Sequence, residues 1–250
     1  MIKIRRTPTP PASLAHEKTI KSGSYSCDDV KVQLHSDFHG KCYICEFRLL
    51  DRNVEHLLPH HNAQFPDSEK DNYELQVKYW ERKFDWFNLF PSCVHCNSLK
   101  GIKEHIIDCC NTDPERAIRQ KLVGAEVLIT ANDPEDKSAK ETAELIKECF
   151  ATTGPRHLDA DARKELLQIA VSVIDNELKR YKDMKQDKKD LTMQYELLRQ
   201  LVQDNKVFAG FVRTEVRDYL DSCPELAPLV AFHDQEDNIA TKHDRTEVSV

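Results

Sequence analysis

Residues 40–45 of the chain are Gly-Lys-Cys-Tyr-Ile-Cys, and residues 93–101 are Cys-Val-His-Cys-Asn-Ser-Leu-Lys-Gly. Each stretch contains a Cys-x-x-Cys knuckle, a short turn that presents two thiolates to the same ion. Two such knuckles supply the four soft ligands that a structural zinc ion prefers. The alternative is two unrelated pairs of buried cysteines. We predict one zinc ion that is shared by four residues, Cys42, Cys45, Cys93 and Cys96.

The two knuckles are separated by 47 residues, 46–92, which is longer than the usual separation in zinc ribbons. The intervening segment must therefore do more than connect them. It contains the run Val54-Glu55-His56-Leu57-Leu58-Pro59. Successive side chains of a strand point to opposite faces unless the strand ends or twists there. A strand through Glu55 and His56 can thus direct one side chain to a metal ion and the other to a water molecule.

Asn97 directly follows the last cysteine, on the first turn of a helix that we expect to start near Cys96. Bound zinc would hold Asn97 in place, and its amide oxygen suits a harder cation such as Mg²⁺. We therefore expect two kinds of metal. Zinc is structural, and Mg²⁺ or Mn²⁺ takes part in chemistry.

The order Cys-x-x-Cys, acid-His, Asn, Cys-x-x-Cys-Asn-x-x-Lys-Gly over residues 40–101 resembles the HNH, or ββα-metal, nucleases in their four-cysteine zinc branch. The resemblance implies that His56 is the general base and that Glu55 and Asn97 bind the catalytic metal. It also implies that Asn88 is the central asparagine, which fixes the loop that holds His56. Two features differ from the commoner pattern: the acid is Glu rather than Asp, and the third motif residue is Asn97 rather than His.

A neutral histidine, with an unperturbed pKa of about 6.5, can take a proton from water at neutral pH. With His56 in this role, the resulting hydroxide would attack phosphorus in line, and a divalent cation would stabilise the charge on the phosphate and the leaving oxygen. The resemblance implies products with 5′-phosphate and 3′-hydroxyl ends. Candidate phosphate contacts, for which a loop start or solvated helix lysines are the alternatives, are His60, Lys100 and Lys103.

The remaining chain divides by composition and periodicity, and the predicted fold class is α+β. A small zinc-stabilised ββα-metal core is followed by a mainly α-helical subdomain that we expect to dock a partner. The predicted divisions are an extended N-terminal arm with little regular structure (1–35), the nuclease core (36–110), a connecting segment with a candidate short hairpin (111–137), the helical subdomain (138–232) and a polar tail (233–250).

Two further groups of residues receive a structural interpretation. One is a set of aromatic residues that we expect inside the core rather than stacked on bases, namely Tyr79, Trp80, Phe84, Trp86 and Phe87. The other is the set of thiols whose spacing does not join them to the zinc, namely Cys27, Cys109, Cys110, Cys149 and Cys223.

Composition narrows the functional classes. A net charge of −7 is unusual for a protein that holds long nucleic acid by electrostatics alone, so contact should be local or shared with a partner. The six glycines include no GxxxxGK[ST] arrangement, which argues against an ATPase. Nine cysteines, an odd number, argue against a complete disulfide framework. Without a long apolar run or a signal-peptide core, we expect a cytoplasmic protein that does not contact membranes.

The whole chain also resembles the PtuB-like HNH nucleases of Septu-type antiphage defence, which accompany some retrons as well. The resemblance rests on Ile2-Lys3-Ile4-Arg5-Arg6, the Asp113-Pro114-Glu115 phrase and the helical end with Phe208-Ala209-Gly210-Phe211-Val212-Arg213. It implies a separate ABC/SMC-like ATPase, PtuA-like, as partner, with a retron RT-msDNA complex as a further candidate. The substrate, DNA or RNA and phage or host, stays open.

Two other functions compete with this interpretation. A stand-alone restriction-type or homing-type HNH endonuclease would be expected to carry its own basic recognition domain, and the sequence shows none. A zinc-stabilised adaptor module with a dead catalytic site would be expected to lack the acid-His pair or the Asn after the last cysteine. Both of these features are present at Glu55, His56 and Asn97.

Overall fold

The computed structural model describes residues 1–20, 22–60, 73–151 and 157–232. Within these ranges it is mainly helical, with two small antiparallel sheets, which confirms the predicted α+β class. The helices are α1 (Ala12–Glu17), α2 (Asp28–Asp37), α3 (Tyr73–Phe84), α4 (Val94–Lys100), α5 (Pro114–Ala117), α6 (Lys137–Cys149), α7 (His157–Gln186), α8 (Thr192–Leu201) and α9 (Ala209–Asp218). The strands are β1 (Asn53–His56), β2 (Leu89–Ser92), β3 (Ile118–Val123) and β4 (Glu126–Ala131).

The order β1, β2, α4 forms the centre of the first half of the chain. Strand β1 pairs with β2 in antiparallel register, with Glu55 opposite Phe90 and His56 opposite Leu89. Helix α4 follows β2 directly and carries the second knuckle. The backbone N–H of Tyr43 donates to the carbonyl of Pro91 at 3.0 Å, so the first knuckle is held against β2.

A glycine precedes the first knuckle for a steric reason. Gly40 has φ +67°, and a Cβ at this position would lie 2.9 Å from the His35 imidazole. Any L-residue would therefore be strained there and would also displace His35. The tight turn that brings Cys42 to the second knuckle depends on this glycine.

The N-terminal 35 residues contain more structure than predicted. Helix α1 and most of α2 lie in this range, so the expectation of an arm with little regular structure was wrong for those residues. Helix α2 buries Val30 and Leu34, which are four residues apart and share one helical face. The first residues also pack on the core: the Arg6 guanidinium lies 4.0 Å from the centre of the Trp86 ring and donates to the Leu89 carbonyl.

The later elements follow the sequence pattern. Strands β3 and β4 form the candidate hairpin, with Gly124 at φ +60° in its turn. The described residues of the region predicted to be mainly helical form α6, α7, α8 and α9. No helix in the described parts of the chain is both long and apolar enough to cross a membrane. The predicted polar tail, 233–250, lies outside the described residues.

The buried apolar residues form two clusters that divide within α7. The first contains both knuckles, the N-terminal residues, α6 and the first half of α7 as far as Val171. The second begins at Ile174 and contains the rest of α7, α8 and the 3₁₀ helix Pro224–Val230. The division of the core therefore does not coincide with residue 138, where composition places the start of the helical subdomain. The domain boundaries stay predictions.

The expected core aromatics are mostly inside. Phe84 and Trp86 are buried, and Trp80 and Phe87 are partly buried against the first cluster. The Trp86 indole N–H donates to the Thr7 carbonyl at 2.8 Å, which satisfies the polar group of a buried side chain. These four aromatic side chains therefore contribute to packing of the core.

Candidate active site and metal centre

The four knuckle cysteines come together in one place. Their four Sγ atoms lie within 4.8 Å of one another. A tetrahedral zinc ion with Zn–S bonds of about 2.3 Å requires S–S edges of about 3.8 Å, which small adjustments from this arrangement provide. Against the effect of burial, hydrogen bonds with the other three thiols lower the pKa of Cys42 well below its ordinary value, whereas burial raises the pKa of Cys45 and of Cys96 well above it. The four thiols have the number, type and spacing of ligands that a structural zinc ion requires. The cluster can thus bind a zinc ion.

Helix α4 is tied to the second knuckle at its first turn. Cys93 is the N-cap residue, and its Sγ accepts a hydrogen bond from the backbone N–H of Cys96 at 3.4 Å. The helix begins at Val94, two residues before the expected start. Asn97 is therefore the fourth residue of the helix, directly after the candidate zinc ligand Cys96 and three residues before Lys100.

A carboxylate, an amide and an ammonium group meet beside the knuckles. The Lys100 ammonium lies 3.1 Å from Glu55 Oε1, and the Asn97 side chain also makes a hydrogen bond with Glu55. Burial raises the pKa of Glu55, although Lys100 and Asn97 oppose this effect. Asn97 donates an amide N–H to the carboxylate, and both side chains also carry oxygens of the kind that a hard divalent cation prefers. The structure thus brings together the two side chains predicted to bind the catalytic metal.

His56 occupies the buried end of β1. Its side chain is only 3% exposed, and Nε2 lies 3.1 Å from the Lys83 carbonyl oxygen. Because a carbonyl can only accept, Nε2 must carry the proton, and Nδ1 is then the accepting nitrogen of the neutral ring. The imidazole contacts the Tyr25 ring at a centroid distance of 4.4 Å and the His60 ring at 3.9 Å.

Asn88 connects the backbone on either side of His56. Its Oδ1 accepts from the Leu58 N–H at 2.7 Å, and its Nδ2 donates to the Leu58 carbonyl at 2.8 Å and to the Arg82 carbonyl at 3.0 Å. The side chain is buried. These three bonds tie the loop after β1 to the end of α3, the helix that also provides the Lys83 carbonyl next to His56.

The three predicted phosphate contacts have different surroundings. Lys100 is fully buried and pairs with Glu55, and its contact with a phosphate stays a prediction. Lys103 donates to the Leu99 carbonyl and lies 3.5 Å from Glu148 on α6. His60 lies against the His56 ring and thus within the candidate site.

Three residues of the site were missed by sequence reasoning. Tyr25 comes from the segment interpreted as an arm, and its pKa is raised by burial and by the Glu55 charge. Cys149 lies at the end of α6, with its Sγ 3.2 Å from Cys96 Sγ. Arg163 lies on α7, with Nη2 3.8 Å from Cys93 Sγ. No spacing rule joins residues so distant along the chain, so the sequence carried no signal for them.

Comparison with known proteins gives one partial similarity. Over 135 residues the chain is 30% identical to the Septu protein PtuB from Bacillus thuringiensis. The aligned segment covers 48% of this chain and 46% of PtuB. The chain thus spans about half the length of this curated relative. No family model matches the sequence, and no solved structure matches it.

Proposed function

We propose that this chain is a metal-dependent endonuclease of the HNH type that hydrolyses phosphodiester bonds of nucleic acid. The observation that carries the proposal is the β1–β2–α4 arrangement. It sets Glu55 and His56 side by side on β1 and brings the Glu55 carboxylate to Asn97, which follows the cluster residue Cys96 on α4. In this proposal zinc in the thiol cluster fixes the geometry and takes no part in the chemistry.

The chain's own residues account for the proton transfer. His56, holding its Nε2 proton on the Lys83 carbonyl, accepts a proton from water at Nδ1. The hydroxide formed attacks phosphorus, and the bond from phosphorus to the 3′ oxygen breaks. Asn88 keeps the loop after His56 in position. A divalent cation such as Mg²⁺ or Mn²⁺, held by Glu55 and Asn97, would supply charge stabilisation at the phosphate.

The biological role is proposed from the similarity to the Septu protein PtuB. We propose that the chain serves as the effector of a cytoplasmic antiphage defence complex with a separate PtuA-like ATPase. Its net charge of −7 supports a role in which a partner contributes to nucleic-acid contact. A retron RT-msDNA complex is a further candidate partner.

One observation favours a second candidate function, a zinc-stabilised adaptor without catalytic activity. His56 is almost fully buried, and Glu55 already pairs with a buried lysine. A base must reach water, and a metal ligand must be available to the metal. The adaptor hypothesis predicts a protein that binds zinc and a partner but cleaves no nucleic acid.

A cleavage assay separates the two candidates. Wild-type protein would be incubated with DNA and RNA substrates, single- and double-stranded, with Mg²⁺ or Mn²⁺ and with or without the candidate ATPase. We expect cleavage that His56→Ala abolishes while zinc content stays unchanged. His16→Ala is the matched control, because His16 is exposed on α1. Cleavage retained in His56→Ala would contradict the nuclease mechanism.

A further inference from the structure

Two side chains from the helical half of the chain border the four-cysteine cluster. Cys149, the last residue of α6, has its Sγ 3.2 Å from Cys96 Sγ, and both thiols are fully buried. Arg163, in the first half of α7, has Nη2 3.8 Å from Cys93 Sγ. Its Nη1 also donates to the Cys149 carbonyl at 3.2 Å. Two of the four cluster sulfurs are thus next to donors from outside the knuckles.

The negative charge of a four-thiolate zinc centre explains how these contacts could stabilise it. One Zn²⁺ ion bound by four thiolates carries a net charge of −2, and a buried charge needs a partner of opposite sign. Arg163 is 5% exposed, so its guanidinium faces the cluster from inside the protein. The two charges therefore stabilise each other.

We propose that Arg163 and Cys149 form the outer shell of the zinc centre, so that zinc binding and the docking of α6 and α7 on the core stabilise each other. Arg163 supplies a charged N–H to Cys93, and Cys149 supplies an S–H to Cys96. Groups in the outer shell commonly change metal affinity about 10–100-fold when they are removed. The inference rests on the zinc assignment in the proposed function.

The coupling must act in both directions. If docking of α7 strengthens zinc binding, zinc binding must strengthen docking of α7 by the same factor. The first apolar cluster continues from the knuckles into α6 and α7 as far as Val171, so the contacts that transmit this effect are already in place. Helices α6 and α7 therefore contribute to the stability of the zinc centre.

Arginine can also act by packing, since its guanidinium lies 5.7 Å from the centre of the Phe47 ring. Substitutions at Arg163 separate the two roles. Arg163→Met keeps much of the side-chain volume but removes the charge and the donors, whereas Arg163→Lys keeps the charge. Arg180→Met is the matched control, because Arg180 is exposed on the same helix.

The first measurement is the rate at which the full-length protein releases zinc to a chromogenic chelator. We expect release about 10–100-fold faster from Arg163→Met, an intermediate rate from Arg163→Lys and the wild-type rate from Arg180→Met. A wild-type rate in Arg163→Met would overturn the inference. Equal acceleration in the Met and Lys variants would assign the effect to packing and would also overturn it. Wild-type protein purified without zinc would instead contradict the proposed function.

The second measurement is made on wild-type protein and does not depend on whether a variant folds. Hydrogen exchange of residues 157–171 would be compared before and after zinc removal by chelation. We expect faster exchange in this half of α7 and little change in α8, which belongs to the second apolar cluster. Unchanged exchange at 157–171, together with faster exchange at the knuckles, would show that the helices dock without help from zinc.

Discussion

The ammonium group of Lys100 lies 3.1 Å from Glu55 Oε1, and the Lys100 side chain is 0% exposed to solvent. Burial lowers the pKa of this lysine, while the Glu55 charge acts in the opposite direction. The Glu55 side chain is 13% exposed, so most of this ion pair is removed from solvent, and each charge compensates the desolvation of the other. The pair therefore links the end of α4 to β1 in the centre of the candidate site.

Replacing one partner of this ion pair should lower the stability of the folded protein. We expect Lys100→Met to lower the free energy of unfolding by about 3–5 kcal/mol, because the Glu55 carboxylate, only 13% exposed, loses its partner of opposite charge. The double variant Lys100→Met with Glu55→Gln should recover most of the loss. Urea unfolding at constant zinc concentration measures both. Lys179→Met, at a lysine paired with Asp175 on the surface, should change stability little. Equal losses in the single and double variants would show that Lys100 acts by packing.

The contacts of Asn88 lead to a second prediction. Asn88→Ala removes three hydrogen bonds and leaves partly buried backbone groups of Leu58 and Arg82 without this partner. We expect a loss of about 1–3 kcal/mol of stability and a lower cleavage rate, because the loop after His56 loses its support. Asn176→Ala, at an exposed position on α7, is the control. Wild-type stability of Asn88→Ala would mean that other contacts hold this loop.

Much of the fold follows from short-range patterns. The two Cys-x-x-Cys knuckles predict a four-thiol cluster because each pair is only three residues apart, and the cluster is present. The helices α6 to α9 follow from apolar residues at steps of three and four, and the hairpin follows from the turn at Gly124. In each case the deciding interaction is local, so the sequence carries it directly.

The missing parts of the site come from packing between distant segments. Cys149 and Arg163 reach the thiol cluster only because α6 and α7 fold back on the knuckles. Tyr25 reaches His56 because the N-terminal residues pack on the core. Lys100 was a candidate phosphate contact with a solvated helix lysine as the alternative, whereas tertiary packing buries its side chain against Glu55. No spacing along the chain encodes these contacts.

Loss of a zinc ligand should have a larger effect than loss of another thiol. We expect Cys93→Ser to reduce zinc from one ion per chain to a small fraction and to lower the melting temperature, because structural zinc contributes directly to folding. Cys27→Ser is the control, since Cys27 lies outside the cluster and contacts the Ser24 carbonyl. Elemental analysis of both purified variants checks the prediction. Full zinc content in Cys93→Ser would remove Cys93 from the ligand set.

A buried carboxylate on α9 gives a pH-dependent prediction. Glu215 is 9% exposed, and its Oε1 finds no hydrogen-bond partner in the part of the chain that the structure describes. Burial raises the pKa of Glu215 above its ordinary value of 4.5, with Asp218 and Asp175 adding to the effect and Lys121 opposing it. The charged carboxylate is therefore a cost to the folded state at neutral pH.

Glu215→Gln should remove this cost and make the protein more stable than wild type at pH 7. The sign follows from proton binding: between 4.5 and the raised pKa the folded wild type binds more protons than the unfolded chain, so its stability falls as pH rises. Below 4.5 both states are protonated, and the advantage of the variant should disappear. Urea unfolding of both proteins across this range measures the difference. Glu144→Gln, at an exposed position on α6, should show no such trend. If the stability difference between Glu215→Gln and wild type did not change with pH, titration of Glu215 would be excluded as the cause of that difference.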